Sequence, residues 1–96
     1  MAKAETVRPG YTETKEKLLK RLARVEGQVR GVSRMVEEDR YCVDVLTQIA
    51  AARAALDGVA LGLLDDHTRH CVMAAEGEQR EERSAELMEA IGRLVR

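Results

Sequence analysis

Two cysteines and two histidines are all that this 96-residue chain has of either type, and three of the four fall within the seven residues DDHTRHC, positions 65 to 71. Thiolates and imidazoles are the side chains that bind soft and borderline metals, so the spacing of Cys42, His67, His70 and Cys71 bears on chemistry before anything else does. On a helix turning about 100° per residue, Cys42, His67 and Cys71 project from nearly the same side, with His67 and Cys71 one turn apart. Cys42 precedes His67 by 25 residues, which is roughly 37 Å along a helix axis. One chain therefore cannot gather all three. Two copies of that helix packed antiparallel about a two-fold axis can, because Cys42 of one then faces His67 and Cys71 of the other, giving two equivalent sites per dimer. Two thiolates and one imidazole form a soft, low-coordinate set suited to trigonal Cu(I). Zinc usually takes a fourth ligand or water, which His70 or Asp66 would supply. The competing reading is structural, with both cysteines as small buried hydrophobes and both histidines as polar residues at a helix end. Spacing alone leaves these readings open.

The elements that must position these residues are helical. The chain holds two tyrosines, no phenylalanine or tryptophan and a single proline, with many Ala, Leu, Val, Glu and Arg residues, a composition that fits packed helices better than a sheet. Residues 1 to 11, with Pro9-Gly10, read as a flexible tail preceding one domain over residues 12 to 96. Thr12 or Thr14 can cap a first helix, along which Leu18, Leu22, Val25, Val29, Val32 and Val36 recur at alternating spacings of four and three, the seam of near-coiled-coil packing. That helix is expected to end near Glu38, with Asp39 capping the next. A second helix is expected from Tyr41 to Val72, its alanine-rich run at 50 to 55 allowing close approach of another helix. Gly77 marks a break, and Leu87, Met88, Ile91, Leu94 and Val95 place one apolar face on a third helix from Arg80 to Val95. Met35, Met73 and Met88 fall at core-like spacing, so packing is their expected role.

No stretch approaches the roughly 18 uninterrupted apolar residues of a membrane span, and the N-terminus lacks the apolar core of a signal peptide. A cytosolic location is the expectation, and in that reducing compartment a structural disulfide is not. The net charge of −1 conceals an asymmetry: residues 1 to 34 carry nine Lys or Arg against four Asp or Glu, and the remainder seven against thirteen, so the halves stand at +5 and −6. Such polarity presents a basic face to a polyanion while the whole stays near neutral. Lys17, Lys20, Arg21 and Arg24 occupy about 100° of arc on one flank of the first seam, a pattern for phosphate contact and shape readout. Arg53 on the second helix is a weaker candidate, since its charged head also suits the edge of a packed face. No nucleophile and base pair, carboxylate constellation or phosphate loop stands out, and no enzymatic activity is expected.

KRLARVEGQVRGVSRMVEEDRYCVDVLTQIAAARAAL, followed by LLDDHTRHCV, resembles the CsoR/RcnR family of bacterial metal-sensing repressors, in particular its copper-sensing branch. The resemblance spans about Gly10 to Val95 and rests most specifically on Tyr41-Cys42, then His67, then Cys71. It implies an all-α, three-helix protomer, an antiparallel dimer, and a flat homotetramer formed from two dimers. It further implies that the apo protein binds operator DNA and that Cu(I), one per subunit, held between subunits by Cys42, His67 and Cys71, releases that DNA to derepress copper-resistance genes. Tyr41 and Glu86 match positions that connect the histidine to the third helix, and Arg21 matches a DNA-contacting position with Lys20 and Arg24 beside it. Nickel and cobalt sensors of the family use further nitrogen ligands, often a histidine near the N-terminus, and residues 1 to 40 contain none. Persulfide sensors lack the histidine and formaldehyde sensors the second cysteine. The rival readings are a thiol-based persulfide or oxidant sensor of the same fold and a helical scaffold without regulatory function. Neither a membrane nor a small-molecule substrate is an expected partner.

Overall fold

The computed structural model describes residues 9 to 95; of the tail expected over residues 1 to 11, residues 1 to 8 lie outside them. Three α-helices follow in order: α1 is Lys15–Glu37, α2 is Cys42–His67 and α3 is Glu78–Leu94, with a π-helical stretch, Thr68–Val72, continuing α2. Among the described residues there is no strand, in keeping with the all-α composition. The chain's internal contacts separate into two compact units, Glu13–Gly62 on one hand and Leu63 onward with the segment up to Thr12 on the other. A single domain over residues 12 to 96 is a coarser description than this, because α2 continues from one unit into the next.

In the first unit the α1 seam is only partly covered. Leu18 and Val25 are buried, as is Val59 of α2, and Val32 is half-buried. Leu22, Val29 and Val36 share the seam yet remain exposed, as do Leu46, Ile49 and Leu56 of α2. Side chains of α1 reach α2 at Gly62: a Cβ there would stand in ordinary contact, 3.7 Å from Leu18 Cδ2 and 3.8 Å from Arg21 Nη1. Most of the alanines at 50 to 55 are exposed. The expectation that no stretch approaches a membrane span needs correction, because Cys42–Val72 is long and apolar enough to cross one by length and composition. Unbroken apolar runs do not reveal it, since Arg53 and Asp57 interrupt them as the only charges between Asp44 and Asp65. A helix this apolar and this uncovered equally fits an unpartnered packing face.

Helix ends account for the largest departure from sequence expectation. Thr14 occupies the position before α1, but its hydroxyl makes no capping bond. Asp39 does not cap α2. It adopts φ 56° immediately after α1, where Asp39 N–H donates to Val36 O at 3.1 Å and Arg40 N–H to Met35 O at 2.9 Å. These are the two bonds of a Schellman motif, with Asp39 in the left-handed position usually held by glycine. A short polar residue tolerates that conformation better than other L residues do. Tyr41 then stands immediately before α2, its carbonyl accepting from Asp44 N–H at 3.0 Å and Val45 N–H at 3.2 Å. At the far end, Gly77 with φ 58° and ψ −134° starts α3, a conformation open almost solely to glycine. Gly10 to Thr14 form turns, with Thr12 Oγ1 donating to Pro9 O at 2.9 Å. Gly10 lies so near α2 that a Cβ on it would sit 2.8 Å from Asp66 O and 3.1 Å from His67 Cα.

Two substitutions check these turns. Asp39→Gly should leave the urea midpoint within about 0.5 kcal/mol of the parent, whereas Asp39→Val, β-branched at positive φ, should lose about 1–2 kcal/mol at the same protein concentration; equal stability of the two would exclude the left-handed turn. Gly10→Ala should displace the Pro9–Thr12 turn from α2 at a cost of about 1–3 kcal/mol, read as faster amide exchange over residues 9 to 14, and unchanged exchange would refute the close approach.

Candidate metal centre and basic face

The second unit carries the His67–Cys71 pair. α2 ends at His67, and over the next five residues the helix widens, with Met73 N–H donating to Thr68 O at 2.9 Å across an i to i+5 step. π turns of this kind are rare and concentrate at functional sites. Thr68 Oγ1 donates back to Leu64 O at 2.8 Å, a local bond that competes with the regular ladder. Ala75 N–H reaches Val72 O at 3.2 Å and so does not serve Cys71 O, which an undisturbed α-helix would offer it. The exposed carbonyls are instead taken by two arginines of α3. Arg83 Nη1 donates to Cys71 O at 2.9 Å, while Arg80 donates through Nε to Ala75 O at 2.8 Å and through Nη2 to Met73 O at 3.0 Å. Cations at a helix C-terminus satisfy orphan carbonyls and the negative pole together. Nothing in the sequence marks these two arginines out from the others, and only their spacing of three on one face of α3 would have hinted at a shared task.

His67 is half-buried and His70 exposed. Cys71 is 2% exposed, and Cys42 lies at the opposite end of α2 as its exposed first residue. Neither cysteine forms a disulfide. Among the described residues, no three His, Cys, Asp or Glu side chains converge as a metal-binding group. The structure thus keeps His67 and Cys71 together, four residues apart across the junction of α and π helix, and sets Cys42 at the start of the same helix. Burial agrees with a structural role for Cys71 as much as with a ligand role, but Cys42 is not the buried small hydrophobe that a purely structural reading requires. Tyr41 and Glu86 are both exposed. Met73 and Met88, expected in a core, are 64% and 67% exposed; helical spacing identifies a face but not whether the same chain covers it. Asp65 and Arg69 pair at 3.2 Å on the surface, an exposed contact that contributes at most about 0.5 kcal/mol.

Lys17, Lys20, Arg21, Arg24 and Arg53 are all exposed. A Cβ on Gly62 would stand 3.8 Å from the Arg21 guanidinium. Arg24 opens a groove of about 540 Å³ whose lining includes Gln28, Arg34, Arg40 and Gln48. Arg34 and Arg40 therefore extend the basic surface beyond the cations expected from one helical arc, because the turn at Asp39 brings Arg40 to the same groove. Gln28 Oε1 is buried there without a hydrogen-bond partner, an orphan acceptor of a kind that folded proteins rarely leave unsatisfied.

Residues 14–93 match the family model for metal-sensitive transcriptional repressors. The copper-sensing transcriptional repressor RicR of Mycobacterium tuberculosis is 55% identical over 94 residues, covering 95% of this chain and 98% of its own. The crystal structure of the copper-sensing repressor CsoR with Cu(I) from Geobacillus thermodenitrificans is similar at a TM-score of 0.82 and 48% identity, over 95% of this chain and 96% of that one. The nickel-responsive transcriptional regulator InrS is similar at a TM-score of 0.70 and 52% identity, over 81% and 89% of the two chains. A match of this extent, over helices of the same order and with near full-length relatives, makes this chain a member of the metal-sensitive transcriptional repressor family, whose proteins regulate transcription and are not enzymes.

Proposed function

We propose that this protein is a Cu(I)-responsive repressor that holds operator DNA in its apo form and releases it when copper binds. The observation that carries the reading is the donor set: His67 with a buried Cys71 at one end of α2 and an exposed Cys42 at the other, in a chain whose near full-length relative is a copper-sensing repressor. Two sulfurs and one imidazole fit copper in its reduced state, and the burial of Cys71 supplies the dry surroundings that favour a low coordination number. Bound copper would supply a strong, directional cross-link between sulfur and nitrogen donors. Because Cys42 and His67 terminate one helix, the site forms only where a second copy runs antiparallel, so the subunit is a homodimer, and two dimers make the homotetramer. The exposed Leu46, Ile49 and Leu56 supply the apolar surface that such pairing covers. Tyr41 and Glu86 orient the histidine from outside the donor set. Each subunit takes one Cu(I), and the protein acts in the cytoplasm on operators of copper-resistance genes.

Lys17, Lys20, Arg21 and Arg24, with Arg53 as a lesser contributor, hold the phosphate backbone. Copper and DNA are linked ligands: if copper lowers DNA affinity, DNA lowers copper affinity by the same factor. The likeness to a nickel-responsive regulator favours nickel as the second reading. Nickel prefers a planar nitrogen-rich or oxygen-rich set, and beyond His67 this chain has only His70 to offer as an imidazole.

Anaerobic titration of the reduced protein with Cu(I), reading thiolate-to-copper absorption and operator affinity together, should saturate at one copper per subunit and weaken DNA binding by about 5–150-fold, the usual span of allosteric coupling. His67→Ala should retain much of the copper through the two sulfurs but lose most of that weakening; normal DNA release by this variant would reject the switch, and a response to Ni(II) alone would replace copper with nickel. Arg21→Ala should lower operator affinity and make the slope of log K against log salt shallower by about 1 for each phosphate that a subunit no longer neutralises. An unchanged slope would place the DNA elsewhere.

A further inference from the structure

Cys71 is tied to α3 through its backbone. The Ala75 amide, which a regular helix would direct to the Cys71 carbonyl, donates to Val72 O, and that carbonyl accepts instead from Arg83, twelve residues later. Arg83 is half-buried, whereas Arg80 is exposed and holds the carbonyls of Met73 and Ala75 in the connecting turn. The two arginines thus divide the work: Arg80 secures the turn, and Arg83 grips the residue whose sulfur is a proposed ligand. We propose that Arg83 is the positioning residue that transmits copper occupancy at Cys71 to α3.

The inference rests on the copper reading and deepens it. Sulfur and carbonyl of Cys71 hang from the same Cα, so a metal that fixes the sulfur constrains the peptide that Arg83 holds. The widened turn supplies two alternative arrangements. In the observed one, Met73 N–H serves Thr68 O and Arg83 serves Cys71 O. In a regular α-helix, Met73 N–H would serve Arg69 O and Ala75 N–H would serve Cys71 O, turning that carbonyl along the helix axis. The carbonyl has two lone pairs, so what distinguishes the two arrangements is its direction, and with that whether Arg83 can anchor the start of α3 to it. A segment with two discrete hydrogen-bond registers is the kind of bistable element through which a local ligand acts at a distance.

The test compares full-length wild type, Arg83→Ala and Arg83→Lys, with Arg80→Ala as control. The apo Arg83→Ala protein should bind one Cu(I) per subunit and hold operator DNA within about threefold of wild type, while its copper-induced drop in DNA affinity falls to under about threefold. Without any metal, amide exchange over residues 68 to 76 should quicken by about tenfold, with α1 unaffected. Arg83→Lys, which keeps charge and one donor, should recover part of the response, and Arg80→Ala should preserve most of it. A full copper response in Arg83→Ala, or unchanged exchange over 68 to 76, overturns the proposal. So does loss of folding in both Arg83 variants, since the residue would then be merely structural. If wild type itself ignores copper while responding to another metal, the copper reading fails, and the same variants read with that metal still decide the role of Arg83.

Discussion

The rigidity of one helix governs what this chain can do with its donors. Cys42 and His67 are the first and last residues of α2, and a hydrogen-bonded helix at about 1.5 Å per residue does not shorten to bring its ends together. Any chemistry that uses both must use two copies of the chain. The same helix carries few charges between Asp44 and Asp65 and leaves Leu46, Ile49 and Leu56 exposed, so the surface that association would cover lies between the residues that association would unite. Metal reading and self-association are thus one hypothesis with two consequences, and the length of α2 joins them.

A second constraint acts where α2 ends. The last four carbonyls of a helix have no amide partners within it, and here they fall beside the buried Cys71, where an unsatisfied acceptor would cost about 1–3 kcal/mol. Water is a poor answer at a buried site. Arginines from α3 are a good one, because a bond from a charged donor is worth about 1.5–3 kcal/mol where it is shielded from water, as at the half-buried Arg83, and both arginines lie near the start of a helix that begins at Gly77. Widening the helix at Thr68–Val72 is the geometric counterpart: it frees Cys71 O from its own helix and offers it to Arg83.

This division explains what the sequence discloses. Periodicity locates all three helices, because each must place apolar residues on one face, and the coincidence of Cys42, His67 and Cys71 on a common side is likewise legible from helical angle. Asp39 is ambiguous because aspartate serves equally at a helix start and in a left-handed turn; the choice falls to the two bonds from Asp39 and Arg40 back into α1. The π turn is invisible in the sequence, since it depends on which distant donor satisfies a carbonyl, and Arg83 lies twelve residues beyond Cys71. Spacing assigns Met73 and Met88 to a core, yet spacing cannot say which chain supplies the cover. Arg34 escapes the basic arc because it sits off it further along α1, and Arg40 because it joins Arg24 through the turn between helices.

Magnitudes decide how much rearrangement such a regulator needs. Allosteric coupling commonly amounts to about 1–3 kcal/mol, and one guanidinium bond to a buried carbonyl is worth a similar amount. Making or losing the Arg83 bond at the Cys71 carbonyl would therefore be sufficient in scale to account for a regulatory response, without melting a helix or rebuilding a core. Small differences of this kind are what a metal at the neighbouring sulfur can reverse. A switch built on one carbonyl would also restrict where change accumulates, since the turn at Thr68–Val72 and the exposed cations of α1 belong to different elements.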